Sequence, residues 1–318
     1  MGFDWEAFDK LDEKTQLERF RQLLENNDRE WIQKNNEELN KRFRFANKFI
    51  FLDILPEGFY KRGFLAVDVT THQQVALLLL KPEDSRTRPF PLELSNSKMY
   101  YRECAVSYKL KHPNIVEHYE SGIFENQAYI AYKFEESTNL ENIILHSTTL
   151  KEINPLSFLI PISRALGFIH ERKFTHGDVK PSNIIVTKEG AVRLGDFGTV
   201  RKIGEKIKIF GSISYTAPEI LEGKPPTPAA DIWSLGVVGY YLAHRELPFK
   251  VEPEDWPDKL IEQILTVEPK YTKRSRYLKD FLEKDPNKRL HNGHASRKIL
   301  EWRRTHPILS KFIDLLYI

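Results

Sequence analysis

The sequence predicts an α+β chain in two lobes: a strand-rich small lobe, then a large helical lobe. Three observations predict it. Apolar runs of strand length, at 49–52, 63–67 and 75–80, cluster between residue 46 and about residue 135. Helical apolar patterns take over from Leu140 onward. A polar stretch at 173–219, dense in residues with chemical uses, interrupts the helical part.

Taken in order, residues 1–45 come first and differ from the rest. They hold no Pro and many Glu, Lys, Arg, Asn and Gln. Leu17, Phe20 and Leu24 fall at helical spacing, with Trp31 one heptad further on, which predicts a helical N-terminal extension. Such an extension packs on the main domain, or binds a partner or a second copy of the chain. The strands at 49–52, 63–67 and 75–80 follow. Residues 97–110 read as a helix, with Tyr100, Cys104, Ser107 and Tyr108 on one side. His112-Pro113-Asn114 ends it, because proline cannot continue the hydrogen-bond ladder. Strands are expected at 115–119 and 128–134, and helices at 158–172, 230–242, 256–265 and 277–282. A strand-rich lobe before a helical one places a ligand site in the crevice between them.

Composition narrows the function. The chain has 318 residues, 41% of them hydrophobic and 29% charged, which suits a globular core and excludes collagen-like or wholly disordered readings. The longest apolar run, 75–80, is far shorter than a membrane span, so no membrane partner is expected. Asp4, Glu6, Asp9, Asp12 and Glu13 argue against a secretory signal, and Glu6 spoils the Met1-Gly2 acylation pattern. One cysteine, Cys104, rules out an internal disulfide and fits a cytoplasmic or other reducing intracellular compartment. A net charge of +3, from 48 basic and 45 acidic residues, argues against nucleic acid as the partner.

The chemistry sits in His176-Gly177-Asp178-Val179-Lys180-Pro181-Ser182-Asn183. Asp196-Phe197-Gly198 begins thirteen residues after Asn183, and Ala217-Pro218-Glu219 closes the segment. In order and spacing these motifs resemble the catalytic loop, magnesium loop and activation-segment end of the protein kinase superfamily. Asp231-Ile232-Trp233-Ser234-Leu235-Gly236 resembles its buried helix. Asp285-Pro286-Asn287-Lys288-Arg289 resembles its late arginine motif, and His306-Pro307-Ile308-Leu309 its usual end. The resemblance implies a two-lobed protein kinase fold over 46–310, a small antiparallel β lobe with one major helix at 46–135 and a large helical lobe at 136–310, with a tail at 311–318. It implies ATP and Mg²⁺ as cofactors and a protein substrate with a Ser or Thr acceptor.

Phosphoryl transfer needs positioning and neutralisation of charge more than covalent help. By the resemblance, Asp178 accepts the substrate hydroxyl's proton and Lys180 lies against the transferring group. Asn183 and Asp196 hold magnesium, and Glu103 supplies the carboxylate that orients a phosphate-binding cation. Nucleotide contacts fall to Gly58, Lys61, Ala76, Tyr132, Phe134, Glu135 and Ile185, with Tyr132 at the gatekeeper position and 133–135 as the hinge. His176 and Phe197 resemble members of a packed column. Glu219 is expected to pair with Arg289, and Asp231 to accept backbone N–H bonds from the catalytic loop.

Two departures stand out. Gly177 replaces the arginine that meets an activation-segment phosphate, which argues against activation by such a phosphate. Ser212 stands where the family often has a Thr touching the catalytic Asp and Lys, so a phosphate there would inhibit. The other departure is in the phosphate loop: only Gly58 survives of three glycines, and Leu78 occupies the lysine position. Lys61 replaces the third glycine, an arrangement similar to the with-no-lysine kinases. Lys81 is the other nearby lysine, on the opposite strand face by alternation. The leading reading is an ATP-dependent protein serine/threonine kinase with a relocated lysine. The alternative is a catalytically impaired pseudokinase acting as a nucleotide-binding scaffold. A small-molecule phosphotransferase is disfavoured by the peptide platform that Ala217-Pro218-Glu219 resembles.

Overall fold

The computed structural model describes residues 10, 45–55, 61–80, 96–124, 127–147, 154–205 and 212–305. The reading of 1–44, and Gly58, Lys81 and the ending at 306–309, lie outside them. The described residues form two compact units, one of 45–80 with 122–134 and one of 96–121 with 135 onward. Their architecture is the two-lobed α+β kinase fold.

The first unit is built on a five-stranded antiparallel sheet in the order β1-β2-β3-β5-β4. The strands are β1 (Phe49–Ile54), β2 (Lys61–Asp68), β3 (Gln74–Leu80), β4 (His118–Phe124) and β5 (Gln127–Lys133). The three predicted apolar runs are β1 to β3. The run expected at 115–119 begins later, because Ile115 instead makes an isolated parallel bridge to Leu194. Phe64, Ala66, Val75, Leu77 and Leu79 fill the buried face of β2 and β3. At the β2–β3 turn, Asp68 is fully buried. Its Oδ1 accepts the Thr70 and Thr71 amides at 2.8 and 3.3 Å, and its other oxygen meets Lys48 Nζ at 3.1 Å. Phe45 packs edge-on against Phe124 and Tyr129, at centroid distances of 5.5 and 5.3 Å.

The second unit opens with α1 (Asn96–Ser107). It ends six residues before Pro113, in a turn through Tyr108 and Lys109. Its buried side is Met99, Tyr100, Glu103 and Val106 with Ser107; of the four residues read as sharing one side, Tyr100 and Ser107 are buried and Tyr108 is 65% exposed. The periodicity was misleading because a charged residue, Glu103, holds a core position. Then come β6 (Ser137–Asn139), α2 (Leu140–His146), α3 (Leu156–Glu171), β7 (Phe174–Thr175), β8 (Ile184–Thr187), β9 (Val192–Leu194) and β10 (Arg201–Lys202). α4 (Pro218–Leu221), α5 (Pro228–His244), α6 (Asp258–Thr266) and α7 (Gly293–Thr305) complete it.

α5 is apolar all round and buried along almost its whole length, as the centre of a helical core must be. The helix expected at 277–282 is only a 3₁₀ turn, Arg276–Leu278, although Leu278, Phe281 and Leu282 are all buried. α7 was not read from the pattern. It crosses α3 so closely that a Cβ on Gly293 would strike the backbone of Gly167 and Ser163, so only glycine fits there. Among the described residues, no helix is long and apolar enough to cross a membrane.

Candidate active site

The catalytic loop hangs from one carboxylate. Asp231, in the first turn of α5 and 1% exposed, accepts the His176 amide at 2.8 Å and the Gly177 amide at 2.9 Å. His170 Nε2 donates to the same carboxylate at 2.8 Å, and its Nδ1 accepts the Gly293 amide at 3.1 Å. Burial by itself would push the Asp231 carboxyl up. The His170 hydrogen bond, the neighbouring imidazoles and the Gly177 amide outweigh it and hold the group below the usual carboxylate range.

His176 Nδ1 accepts the Asp178 amide at 3.3 Å. The ring proton therefore sits on Nε2, which donates to Gly195 O at 3.0 Å. This bond ties the loop to the residue before Asp196. The His176 and Phe197 rings meet edge-on at 5.3 Å, the packing their resemblance implied. Gly177 takes φ +81°, and a Cβ there would lie 3.1 Å from Thr199 O. Both facts favour glycine at this departure from the family pattern.

Asp178, Lys180 and Asn183 form one polar group. Lys180 Nζ lies 2.8 Å from Asp178 Oδ2 and 3.4 Å from Ser212 Oγ. Asn183 Nδ2 donates to Asp178 O at 2.8 Å and to Asp178 Oδ2 at 2.9 Å. Both amide protons of Asn183 are then used, which leaves its oxygen as the end that suits a cation. Asp178 and Asn183 are each 8% exposed.

Asp196 adopts a left-handed backbone, φ 58° and ψ 82°, unusual for a residue with a side chain. It caps the 3₁₀ turn Phe197–Thr199. A methyl group on Gly198 would sit 3.5 Å from Asp196 Oδ1 and 3.5 Å from Glu103 Oε2, so the two carboxylates flank this glycine. Glu103 is fully buried. Among the described residues no group of three or more His, Cys, Asp and Glu side chains could hold a metal. A carboxylate and a carboxamide oxygen do fit Mg²⁺, which binds through one or two protein oxygens plus phosphates and waters.

The other expected site residues divide between the units. In the second, Ile185 lies on β8 opposite Arg193, and Glu135 pairs with the Arg193 guanidinium. In the first, the register places Lys61 opposite Leu80, Gly63 opposite Leu78, and Ala76 opposite Tyr132. Opposed residues share a face, and side chains alternate along each strand. Lys61, Leu78, Ala76 and Tyr132 therefore lie on one face of the sheet, away from Phe64 and Leu77. The Phe134 amide donates to Gln74 O at 3.1 Å.

The activation segment closes as expected. Arg289 Nη1 and Nη2 meet the two Glu219 oxygens at 2.7 and 3.0 Å, with side-chain exposures of 0% and 3%. Sequence reasoning did not single out Tyr215 and Ile220. With Gly177, Asp178, Ser212 and Ala217 they line one concavity.

Comparison with known proteins agrees with this geometry. The family described as Protein kinase domain matches residues 50–300. Serine/threonine-protein kinase Nek1 of Mus musculus is 38% identical over 155 residues, 47% of this chain and 13% of that protein. Serine/threonine-protein kinase PknB of Mycobacterium leprae is 30% identical over 214 residues, 64% of this chain and 33% of that one. Serine/threonine-protein kinase PAK mbt of Drosophila melanogaster is 26% identical over 249 residues, 77% of this chain and 37% of that protein. The chain thus spans well under half the length of these relatives. With its motifs assembled around Asp178 and Asp196 and its match over 50–300, the chain belongs to the protein kinase family.

Proposed function

We propose that this chain is an ATP-dependent protein serine/threonine kinase in which Asp178 is the catalytic base and Asp196 and Asn183 hold Mg²⁺. The observation that carries the reading is the hydrogen-bonded set Asp178, Lys180 and Asn183, complete in residue type and tied to α5 through Asp231. ATP with its magnesium supplies the phosphoryl group and neutralises its charge. The chain's own residues do the positioning. Asp178 accepts the proton of a substrate Ser or Thr hydroxyl. Lys180, 2.8 Å from that carboxylate, presents a positive charge beside it. Asn183 holds the Asp178 side chain in one orientation through its amide nitrogen. Ala76, Tyr132, Phe134, Glu135 and Ile185, with Gly58, contact the nucleotide.

Leu78 leaves the usual cation missing, and Lys61 supplies it. The support is the register: Lys61 lies diagonally across from Leu78 on the same sheet face, about 7–8 Å between backbones, within reach of a lysine stem. Leu78 itself favours the second reading, a nucleotide-binding scaffold without transfer. Residues 1–45 would then serve as its docking segment.

One experiment separates the two. Radiolabelled ATP with a generic basic protein substrate should label Ser and Thr with wild type and not with Asp178→Asn. Lys61→Met should lower kcat by roughly 100-fold or more, and Lys81→Met should be nearly silent. Equal label from wild type and Asp178→Asn ends the kinase assignment. A reversed pair of lysine effects ends the Lys61 assignment.

A further inference from the structure

Residues 200–211, between Thr199 and Ser212, contain no Ser, Thr or Tyr. A phosphate cannot be placed on this half of the activation segment. Its start is nevertheless tightly held. β10 pairs with β7, and Thr199 Oγ1 donates to His176 O at 2.9 Å. The Ile203 amide donates to Lys173 O at 3.0 Å, and the Gly204 amide to Pro226 O at 3.1 Å.

The turn closes on Glu205. Its amide donates to Lys202 O at 3.0 Å, and its Oε2 accepts the Lys202 amide at 3.2 Å. The other oxygen, Oε1, accepts Arg102 Nη2 at 2.8 Å. Arg102 precedes Glu103 on α1, so this pair spans the helix that carries the buried glutamate and the segment that follows Asp196. Arg102 Nη1 is buried and has no hydrogen-bond partner among the described residues. Arg201 is nearby and 3% exposed. Burial, and then the charge of Arg102, push its guanidinium down to about 10, while Glu205 acts in the opposite direction. Arg102 thus pairs with the carboxylate, while Arg201 donates to Val200 O at 2.7 Å and feels Glu205 only through its charge.

We propose that Glu205 is a positioning residue. Its carboxylate does what a phosphate on the segment would otherwise do, locking α1 to the segment after Asp196, so the site is ordered without phosphorylation. One oxygen fixes the turn and the other holds Arg102, which sets the place of Glu103. Gly177 fits this arrangement, since no guanidinium stands at that position to receive a phosphate. The proposal rests on the kinase reading above for its effect on transfer, but not for the lock itself.

The test uses the full chain, freed of phosphate by phosphatase and checked by mass spectrometry. Amide hydrogen exchange is read across residues 99–107 in wild type, Glu205→Ala, Arg102→Ala and the swapped pair Arg102→Glu with Glu205→Arg. Both side chains are partly exposed, at 28% and 37%, so the pair is a modest one. Either single variant should exchange about three- to fivefold faster, and the swap, which restores the pair but not the acceptor for the Lys202 amide, should recover part of that difference. kcat should fall by a similar factor and be recovered in part by the swap, with the KM of the protein substrate unchanged. The phosphate-free wild type should keep its full rate. Unchanged exchange in Glu205→Ala, a swap that restores nothing, or activity that vanishes with phosphatase treatment would each overturn the proposal. If the wild type transfers no phosphate at all, the kinase reading falls, and the exchange rates still judge the lock.

Discussion

Replacing Arg289 with Met should nearly unfold the second unit. The guanidinium is fully buried and meets both oxygens of Glu219, itself 3% exposed. It also donates to Ala229 O at 2.9 Å, Lys284 O at 3.1 Å and Glu283 O at 2.6 Å, and lies 5.0 Å from the Trp233 ring centre. Removing one partner of such a pair leaves an uncompensated buried charge and costs about 3–5 kcal/mol. Three carbonyls lose their donor as well, which places the cost near the upper end. Lys284 does not stand in for the lost cation, because its Nζ is engaged by Ile264 O at 2.7 Å. A loss of about 5 kcal/mol is a large part of a domain's typical 5–15 kcal/mol. It corresponds to a fall in Tm of roughly 10–20 °C. Urea unfolding followed by tryptophan fluorescence measures it, with Trp233 beside the substituted residue. Glu219→Gln should cost about half as much, since Arg289 keeps its three carbonyls and an amide oxygen. If Arg289→Met costs less than about 1 kcal/mol, the value of an exposed pair, the reasoning from burial is refuted.

Other outcomes follow from the same geometry. The Asp231 carboxyl is held below its ordinary range in the fold, so its contribution is present above the unfolded value and lost as the pH falls through the folded one. Unfolding free energy measured from about pH 7 to about pH 3 should therefore drop more steeply in wild type than in Asp231→Asn. Gly293→Ala should cost about 3 kcal/mol or more, because the new methyl meets backbone of α3. Gly236→Ala, 2.8 Å from Phe281 Cβ, should cost about 1–3 kcal/mol, both read as Tm in calorimetry. Chelation of Mg²⁺ should stop transfer, and Asp196→Ala should stop it even with excess metal, while fluorescent-nucleotide binding is only weakened.

Much of this was legible in the sequence because local chemistry dictated it. Strands β1 to β3 and the helices α3 and α5 are long, apolar runs with the right period, and packing only confirms them. The Glu219–Arg289 and Asp231 contacts were legible through the resemblance carried by their motifs, although each spans many residues. α1 was found but its face was not, because Glu103 sits inside where periodicity assumes an apolar residue. The stretch 277–282 has helical spacing, yet its three apolar residues plug the core from a 3₁₀ turn and the loop after it. α7 is poor in apolar residues. Its place is set by Gly293 and Gly167, a contact between segments far apart in the chain. The Glu205–Arg102 pair has no sequence signal, since nothing local links residues 103 positions apart.

The carboxylate of Asp231 has a consequence for how long the active arrangement lasts. It and His170 join three stretches of chain: the catalytic loop at His176 and Gly177, the start of α5, and the Gly293 amide at the start of α7. The His176 and Gly177 amides cannot leave Asp231 without uncovering its buried charge. The three amides should share one opening rate, that of the helical core as a whole. The loop then has no lifetime of its own. In a heated sample, activity and folded population should decay on the same clock, so that surviving turnover counts intact molecules rather than weakened ones.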